Sequence, residues 1–293
     1  MEEEKKNRAF WFPGHMKRAG FLIKDNLKNV DLVYEVLDAR AVKATRNLSI
    51  LRLCKNKVRI VILNKKDLAE DFYTNLWIKK IKQKEGVFAF SVDGRNFRQT
   101  REILNFSNKI LQDLWRKRGK KHIKNFRFKA MVVGVPNVGK STIINSLAGK
   151  KKARTANFPG VTLNKQWIAV NENIDLIDMP GKLNFEDLTD ENITVLKLIG
   201  SIKSDGFDEE EVVFSLLEFL EKEEKKYFQV FFNVKEFNSF QDLLEQYGRK
   251  KGMLKKGGDV DFKRISSFLI KEFRQGKMCK VTLQKPNFVS EDF

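Results

Sequence analysis

Apolar residues in the first third of the chain come in short unbroken runs. Residues 30–37 (VDLVYEVL), 58–63 (VRIVIL) and 87–91 (VFAFS) are rich in β-branched and aromatic side chains. Runs of this length predict strands buried on both faces. Between and after them the period becomes helical: Leu68, Phe72, Leu76, Trp77 and Ile81 within 68–84, then Phe97, Ile103, Leu104, Ile110, Leu111, Leu114 and Trp115 within 97–115. Strands alternating with amphipathic helices predict a mostly parallel sheet with covering helices, an α/β domain.

The pattern breaks at 116–129 (RKRGKKHIKNFRFK), which holds eight Lys or Arg and no acid and reads as a solvated linker. It then resumes. Residues 129–134 (KAMVVG) predict a strand, followed by a Gly-rich turn, a helix from Lys140 and strands near 166–170 and 173–177. Beyond Gly181 the chain turns helical and its charge segregates. Residues 205–224 carry nine acids and one base, and 248–285 carry twelve bases and three acids. These shifts place a boundary near residue 186, giving an α/β domain over 1–185 and a small helical basic domain over 186–293.

The turn after the fourth predicted strand, 134–141 (GVPNVGKS), fits G-x-x-x-x-G-K-S/T. In that spacing the backbone N–H groups around Asn137, Val138 and Gly139 wrap phosphates, and Lys140 reaches the β/γ oxygens. Ser141 ligates Mg²⁺, Thr142 is a further nucleotide-binding candidate, and the helix starting at Lys140 directs its positive end at the same anion. Residues 64–67 (NKKD) follow a strand, where ligands of α/β folds bind. A carboxylate at Asp67 accepts both N1–H and the exocyclic N–H of guanine, which adenine cannot offer; Asn64 and Lys65 shape the base pocket. Ser91 and Val92, in 91–94 (SVDG), stand where a short motif backs the guanine. Asp178, in 178–181 (DMPG), is placed to hold the Mg²⁺ shell, Gly181 to meet the γ-phosphate, and Thr162, in 159–162 (PGVT), to sense both.

In an ordinary GTPase the phosphate loop precedes the guanine motif. Here the order is reversed. Three predicted strands lie before residue 116 and three after it; joined in the opposite order they complete one six-stranded sheet. The chain therefore reads as a circular permutation, tolerable because domain termini often lie close together.

Residues 11–16 (WFPGHM), 36–40 (VLDAR), 64–67, 134–142 (GVPNVGKST), 159–162 and 178–181 resemble the YlqF/RbgA family of circularly permuted GTPases, the ribosome biogenesis GTPase A group. Residues 243–284, with Gly252, Gly257, Gly258, Asp259 and 272–277 (EFRQGK), are similar to that family's C-terminal RNA-binding domain. The resemblance implies hydrolysis of GTP during late assembly of the large ribosomal subunit, with binding to rRNA and precursor particles. Two features depart from the family: Lys182 follows the DMPG motif, where the family is usually apolar, and 38–47 (DARAVKATRN) lacks a proline. With no Gln after Gly181, a slow intrinsic rate, raised by the ribosomal partner, is expected. The resemblance gives His15 a role near the attacking water, against a purely structural role in its loop, and gives Asn137 a K⁺ beside the phosphates, against a turn-stabilising one.

The net charge of +19 favours a polyanionic partner, and nucleic acid is the commonest. Because the bases cluster, Lys255, Lys256, Lys263, Arg264 and Arg274 are the candidate RNA contacts. Two readings stay open beside the ribosomal one: an RNA-binding assembly protein with GTP as a structural ligand, and a GTPase acting on another RNA. Cys54 and Cys279 have no metal-ligand spacing, no apolar run approaches the ~20 residues of a membrane helix, and the amino-terminal MEEEKKNR has no apolar core. A soluble, cytoplasmic monomer without a membrane partner is expected.

Overall fold

A computed structural model describes residues 14–117, 127–149, 167–179, 181, 188–203, 207–234 and 236–287. Within them helix α1 (Gly14–Leu27) leads into β1 (Leu32–Asp38). Two short helices, α2 (Val42–Thr45) and α3 (Leu48–Cys54), precede β2 (Val58–Asn64). Then follow α4 (Asp71–Glu85), β3 (Phe88–Val92) and α5 (Phe97–Lys117). After the unassigned stretch come β4 (Phe128–Val133), α6 (Lys140–Ala148), β5 (Trp167–Ala169) and β6 (Ile174–Asp178). The remainder is helical: α7 (Asp190–Leu198), α8 (Glu209–Glu223), α9 (Lys225–Phe232), α10 (Phe240–Lys250) and α11 (Phe262–Arg274).

The six strands form one sheet in the order β3-β2-β1-β4-β6-β5, parallel except for β5. Strands from before and after residue 116 thus form the two halves of one sheet, with β1 against β4 at the seam. Side chains alternate across the sheet as the strand period of two requires. Leu32, Tyr34, Val36, Ile60, Ile62, Ala130 and Val132 pack on one face with Ile103 of α5, Ile143 of α6 and Leu196 of α7. Val33, Met131, Val133 and Ile177 pack on the other with Ile23 of α1 and Ile50 of α3, while Val61 and Leu63 meet Trp77 and Ile81 of α4. Burial on both faces is why these strands read as continuous apolar runs. Each such Ile, Leu or Val contributes about 1.5–3 kcal/mol.

The expected linker is shorter than its charge run. Helix α5 carries Arg116 and Lys117 in its last turn, where cations favour the helix carboxyl end, and β4 begins at Phe128. The second core is built from α8–α11, with Leu216, Leu217, Leu243, Leu244, Ile265, Leu269 and Phe273 at its centre. The aromatic stretch 228–240 belongs to it: Phe228 and Phe232 are buried, and Phe231, Phe237 and Phe240 pack against it. Helix α7 serves both cores, since Val195 and Leu196 join the sheet's core and Leu198 the helical one.

The chain then returns. Segment 281–284 lies across the first domain, with Val281 N–H donating to Leu68 O (3.0 Å) and Leu283 N–H to Arg40 O (2.8 Å). Trp77 Nε1 donates to Gln284 O (2.8 Å), and the Gln284 side chain accepts from Ala44 N–H (2.8 Å). No helix among the described residues is long and apolar enough to cross a membrane.

Candidate functional site

The carboxyl ends of the parallel strands converge on one edge of the sheet. Ladder register sets Asp38 beside Asn64 and Asn64 beside Val92. On the other side of the seam Val132 pairs with Asp178, so the phosphate loop leaves β4 next to the end of β6.

Asn64 ties the two halves together. Its Nδ2 donates to Val138 O (2.8 Å), and its Oδ1 accepts from Gly94 N–H (2.8 Å). One buried amide therefore links phosphate loop, guanine motif and base-backing turn. The fit is close: a Cβ on Gly139 would lie 2.2 Å from Asn64 Nδ2. Val92 and Val138 are buried beneath this junction. Ser91 is half-buried one step earlier on β3.

Lys65 sits in a left-handed turn, φ 59°, and its ammonium reaches Asp38 Oδ2 at 2.8 Å. Asp38 is fully buried and also takes the Arg40 guanidinium, with Nε to Oδ1 at 3.0 Å and Nη2 to Oδ2 at 2.9 Å. Burial alone would raise the Asp38 pKa, but Arg40 and then Lys65 outweigh it and hold the carboxyl well below the usual carboxylate range. Arg40 stands over the Phe273 ring, 5.5 Å from its centroid. Asp67, half-buried, is paired through Oδ2 with Arg95 Nη2 at 2.6 Å; Arg95 also binds Asp93.

In the phosphate loop the buried Lys140 donates to Val135 O (2.9 Å). Desolvation pushes its pKa down to about 8, against an opposing pull from Asp178. A polyphosphate beside it would raise the pKa again and favour the charged form. Ser141 Oγ donates to Asp178 Oδ2 at 2.9 Å. A hydroxyl and a carboxylate side by side are the hard oxygen donors that suit Mg²⁺, so these residues fit that ion. Thr142 follows on the first turn of α6. Gly181 returns the switch to the loop: a Cβ there would lie 2.7 Å from Pro136 N and 3.0 Å from Lys140 Nζ.

Asn137 has φ 59° and donates through Nδ2 to Gly200 O at 2.6 Å. Of its side-chain atoms, the carbamoyl oxygen is the one with the lone pairs to ligate a cation. The buried Ser201 hydroxyl donates to Pro136 O (2.8 Å). The residues just after α7 therefore touch the phosphate loop directly. Neither Gly200 nor Ser201 carried a motif by which the sequence would mark it.

His15 falls within α1, but its side chain lies outside the described residues, as do Thr162 and Lys182. In the second domain a Leu254–Val260 bridge closes a hairpin through Gly257 and Gly258, whose φ values are 111° and 90°. Lys255 and Lys256 are exposed on that hairpin, and Lys263 and Arg264 are exposed on the first turn of α11, which Asp261 caps. These four share one region. Arg274 is not placed with them. It lies eleven residues further along α11, about 16 Å, and donates to Lys197 O (2.6 Å) and Leu198 O (2.9 Å) at the end of α7. Its burial lowers its pKa.

Comparison with known proteins bears on this geometry. Residues 129–239 match a family model described as a 50S ribosome-binding GTPase. A protein named ribosome biogenesis GTPase A from Priestia megaterium is 35% identical over 280 residues, 94% of this chain and 96% of its own. One of the same name from Thermotoga maritima is 30% identical over 96% of this chain and 95% of its own. A GDP-bound YlqF structure superposes with a TM-score of 0.62 at 27% identity, covering 90% of this chain and 99% of that one. A GNP-bound YlqF from T. maritima gives 0.61, covering 94% and 100%.

Proposed function

The chain belongs to the ribosome biogenesis GTPase A family, and from that premise we propose that it hydrolyses GTP to GDP and phosphate while bound to the rRNA of a large-subunit precursor in the cytoplasm. The observation that carries the reading is Asn64, whose amide joins Val138 and Gly94 and so makes one guanine-nucleotide site from two halves of a permuted chain.

In this site Asp67 reads the guanine edge, while Lys65, held by Asp38, walls the base. Val92 and Ser91 back the base. The loop amides of Val138 to Thr142 face the phosphates, and the Lys140 ammonium pairs with them. Ser141 and Asp178, with Thr162, would hold Mg²⁺, which supplies charge neutralisation at the β/γ oxygens. The Asn137 oxygen would hold K⁺, with the side chain oriented by the bond from Nδ2 to Gly200 O. Gly181 N–H meets the γ-phosphate, and His15 orients the water. The water oxygen bonds to the γ phosphorus, the β–γ bridging oxygen leaves with the electron pair, and the water proton passes to phosphate. Without a Gln at position 182 the intrinsic rate is slow, and the particle raises it.

Lys255, Lys256, Lys263 and Arg264 meet rRNA phosphate. Arg274 instead ties α11 to α7, next to the Gly200–Ser201 contact with the phosphate loop. The Lys255→Glu/Lys256→Glu/Lys263→Glu variant changes only exposed side chains. It should bind precursor particles at least about tenfold more weakly in 0.1 M salt, with a salt slope shallower by roughly 2. GDP affinity should not change. Unaltered particle binding in a salt titration would remove this hairpin from the RNA interface.

A further inference from the structure

The opposite edge of the sheet carries a second basic surface. A cleft of about 440 Å³ opens where β1, β2 and β4 begin, lined by Lys28, Asp31, Lys57, Arg127 and Lys129 among others. Its lining includes Lys28, Lys57, Arg127 and Lys129 against one acid, Asp31. The strands run from here to the nucleotide site, and β1 and β2 span seven residues each. At about 3.3 Å per residue the two sites lie roughly 20 Å apart.

Three of these cations are held in position. Arg127 grips Asp175, with Nη2 to Oδ1 at 2.6 Å, and donates to Glu172 O (2.9 Å) and Asn171 O (2.7 Å). It shapes the rim more than it adds charge. Lys57 Nζ donates to Val30 O (2.8 Å), which fixes its ammonium at the cleft wall and leaves the charge uncompensated. Lys129 extends over the indole of the partly exposed Trp167, 5.4 Å from its centroid. Lys28 is exposed and has no hydrogen-bonding partner among the described residues. Asp31, the one acid, is already engaged, as its Oδ2 accepts from Lys129 N–H at 2.9 Å.

Three lysines, Lys28, Lys57 and Lys129, thus gather around a polar opening that holds one acid, and the excess of positive charge favours an anion there. The cleft lining holds no Ser, Thr, Cys or His and presents chiefly ammonium and amide groups, which suit binding. It is flanked by the partly exposed ring of Trp167. That combination suits a polyanionic backbone: phosphate on the ammonium groups, with the indole beside it.

We propose that this cleft, built where β1, β2 and β4 begin, is a second phosphate-backbone contact for the RNA that the C-terminal hairpin engages. It rests on the RNA reading given above. The protein then grips RNA at two separate surfaces, and neither competes with GTP.

The test compares the full-length chain with its Lys28→Glu/Lys129→Glu variant in binding to purified large-subunit rRNA across a salt series. The control is Lys79→Glu/Lys82→Glu, which reverses two exposed lysines of α4 and alters net charge equally. Two lost phosphate contacts should reduce affinity at least about tenfold at 0.1 M salt and flatten the salt slope by about 1.5. The control should stay near wild type, and GDP affinity should be unchanged in both. Equal losses in test and control would reduce the effect to net charge and overturn the proposal. So would a loss seen with particles but not with naked rRNA, since that would make the partner a protein. If wild type binds rRNA and the hairpin variant loses it while Lys28→Glu/Lys129→Glu does not, only the cleft proposal fails. If wild type does not bind rRNA, the broader RNA reading fails with it.

Discussion

An Asp67→Asn variant should bind GDP about 100-fold more weakly than wild type and should come to prefer XDP. In the proposed site the carboxylate accepts two hydrogen bonds from guanine, N1–H and the exocyclic N–H. Each bond to a charged acceptor contributes roughly 1.5–3 kcal/mol. An amide at this position keeps one acceptor and turns the other into a donor, which then faces the exocyclic N–H. Loss of one bond and creation of an unpaired donor together account for the two orders of magnitude. Xanthine carries an oxygen where guanine carries that amino group, so the amide pairs with it at both points. Arg95, which holds Asp67 Oδ2 at 2.6 Å, sits on an exposed surface and makes only a small contribution to the difference. Equilibrium titration with GDP and XDP reads the switch. A retained preference for GDP would show that Asp67 does not meet the base.

The second large effect is on stability. Asp38→Ala should destabilise the protein by about 3–5 kcal/mol, lowering Tm by roughly 10 °C. Asp38 is fully buried and neutralises both Arg40 and Lys65. Lys65 is partly exposed and finds water when released. Arg40 cannot: its guanidinium is enclosed, and its Nη1 already lacks a hydrogen-bond partner. An isolated buried cation is the costly state. The damage should also spread, because the Arg40 carbonyl receives Leu283 and its guanidinium stands over Phe273. Thermal unfolding, followed with and without GDP, measures it. A Tm within about 2 °C of wild type would mean that water reaches Arg40.

The parts of this structure that were legible in the sequence share one property: local pattern and tertiary role agree. β1 and β2 are covered on both faces, so their apolar runs are continuous. The phosphate loop must have glycine where Asn64 presses against Gly139, and the motif records that pressure. Other parts depend on ladder register, which a sequence does not display. Asp38 comes beside Asn64 only because β1 and β2 pair in parallel, and from there it reaches Lys65. The return of segment 281–284 was illegible for another reason. It is held largely by backbone donors such as Val281 N–H and Leu283 N–H, which any residue but proline supplies. Arg274 illustrates a third limit. A charge run marks where cations are, and only the fold shows that this one is committed to carbonyls at the end of α7.

The central claim is that a large-subunit precursor controls turnover at this nucleotide site. Its most direct test is the rate of phosphate release from GTP, measured with and without precursor particles, in KCl and in NaCl. The account predicts a slow rate for the free protein, strong stimulation by particles in KCl, and loss of that stimulation in NaCl, where the Asn137 oxygen would lack its ion. A near-zero rate that particles leave unchanged would contradict it and make GTP a structural ligand.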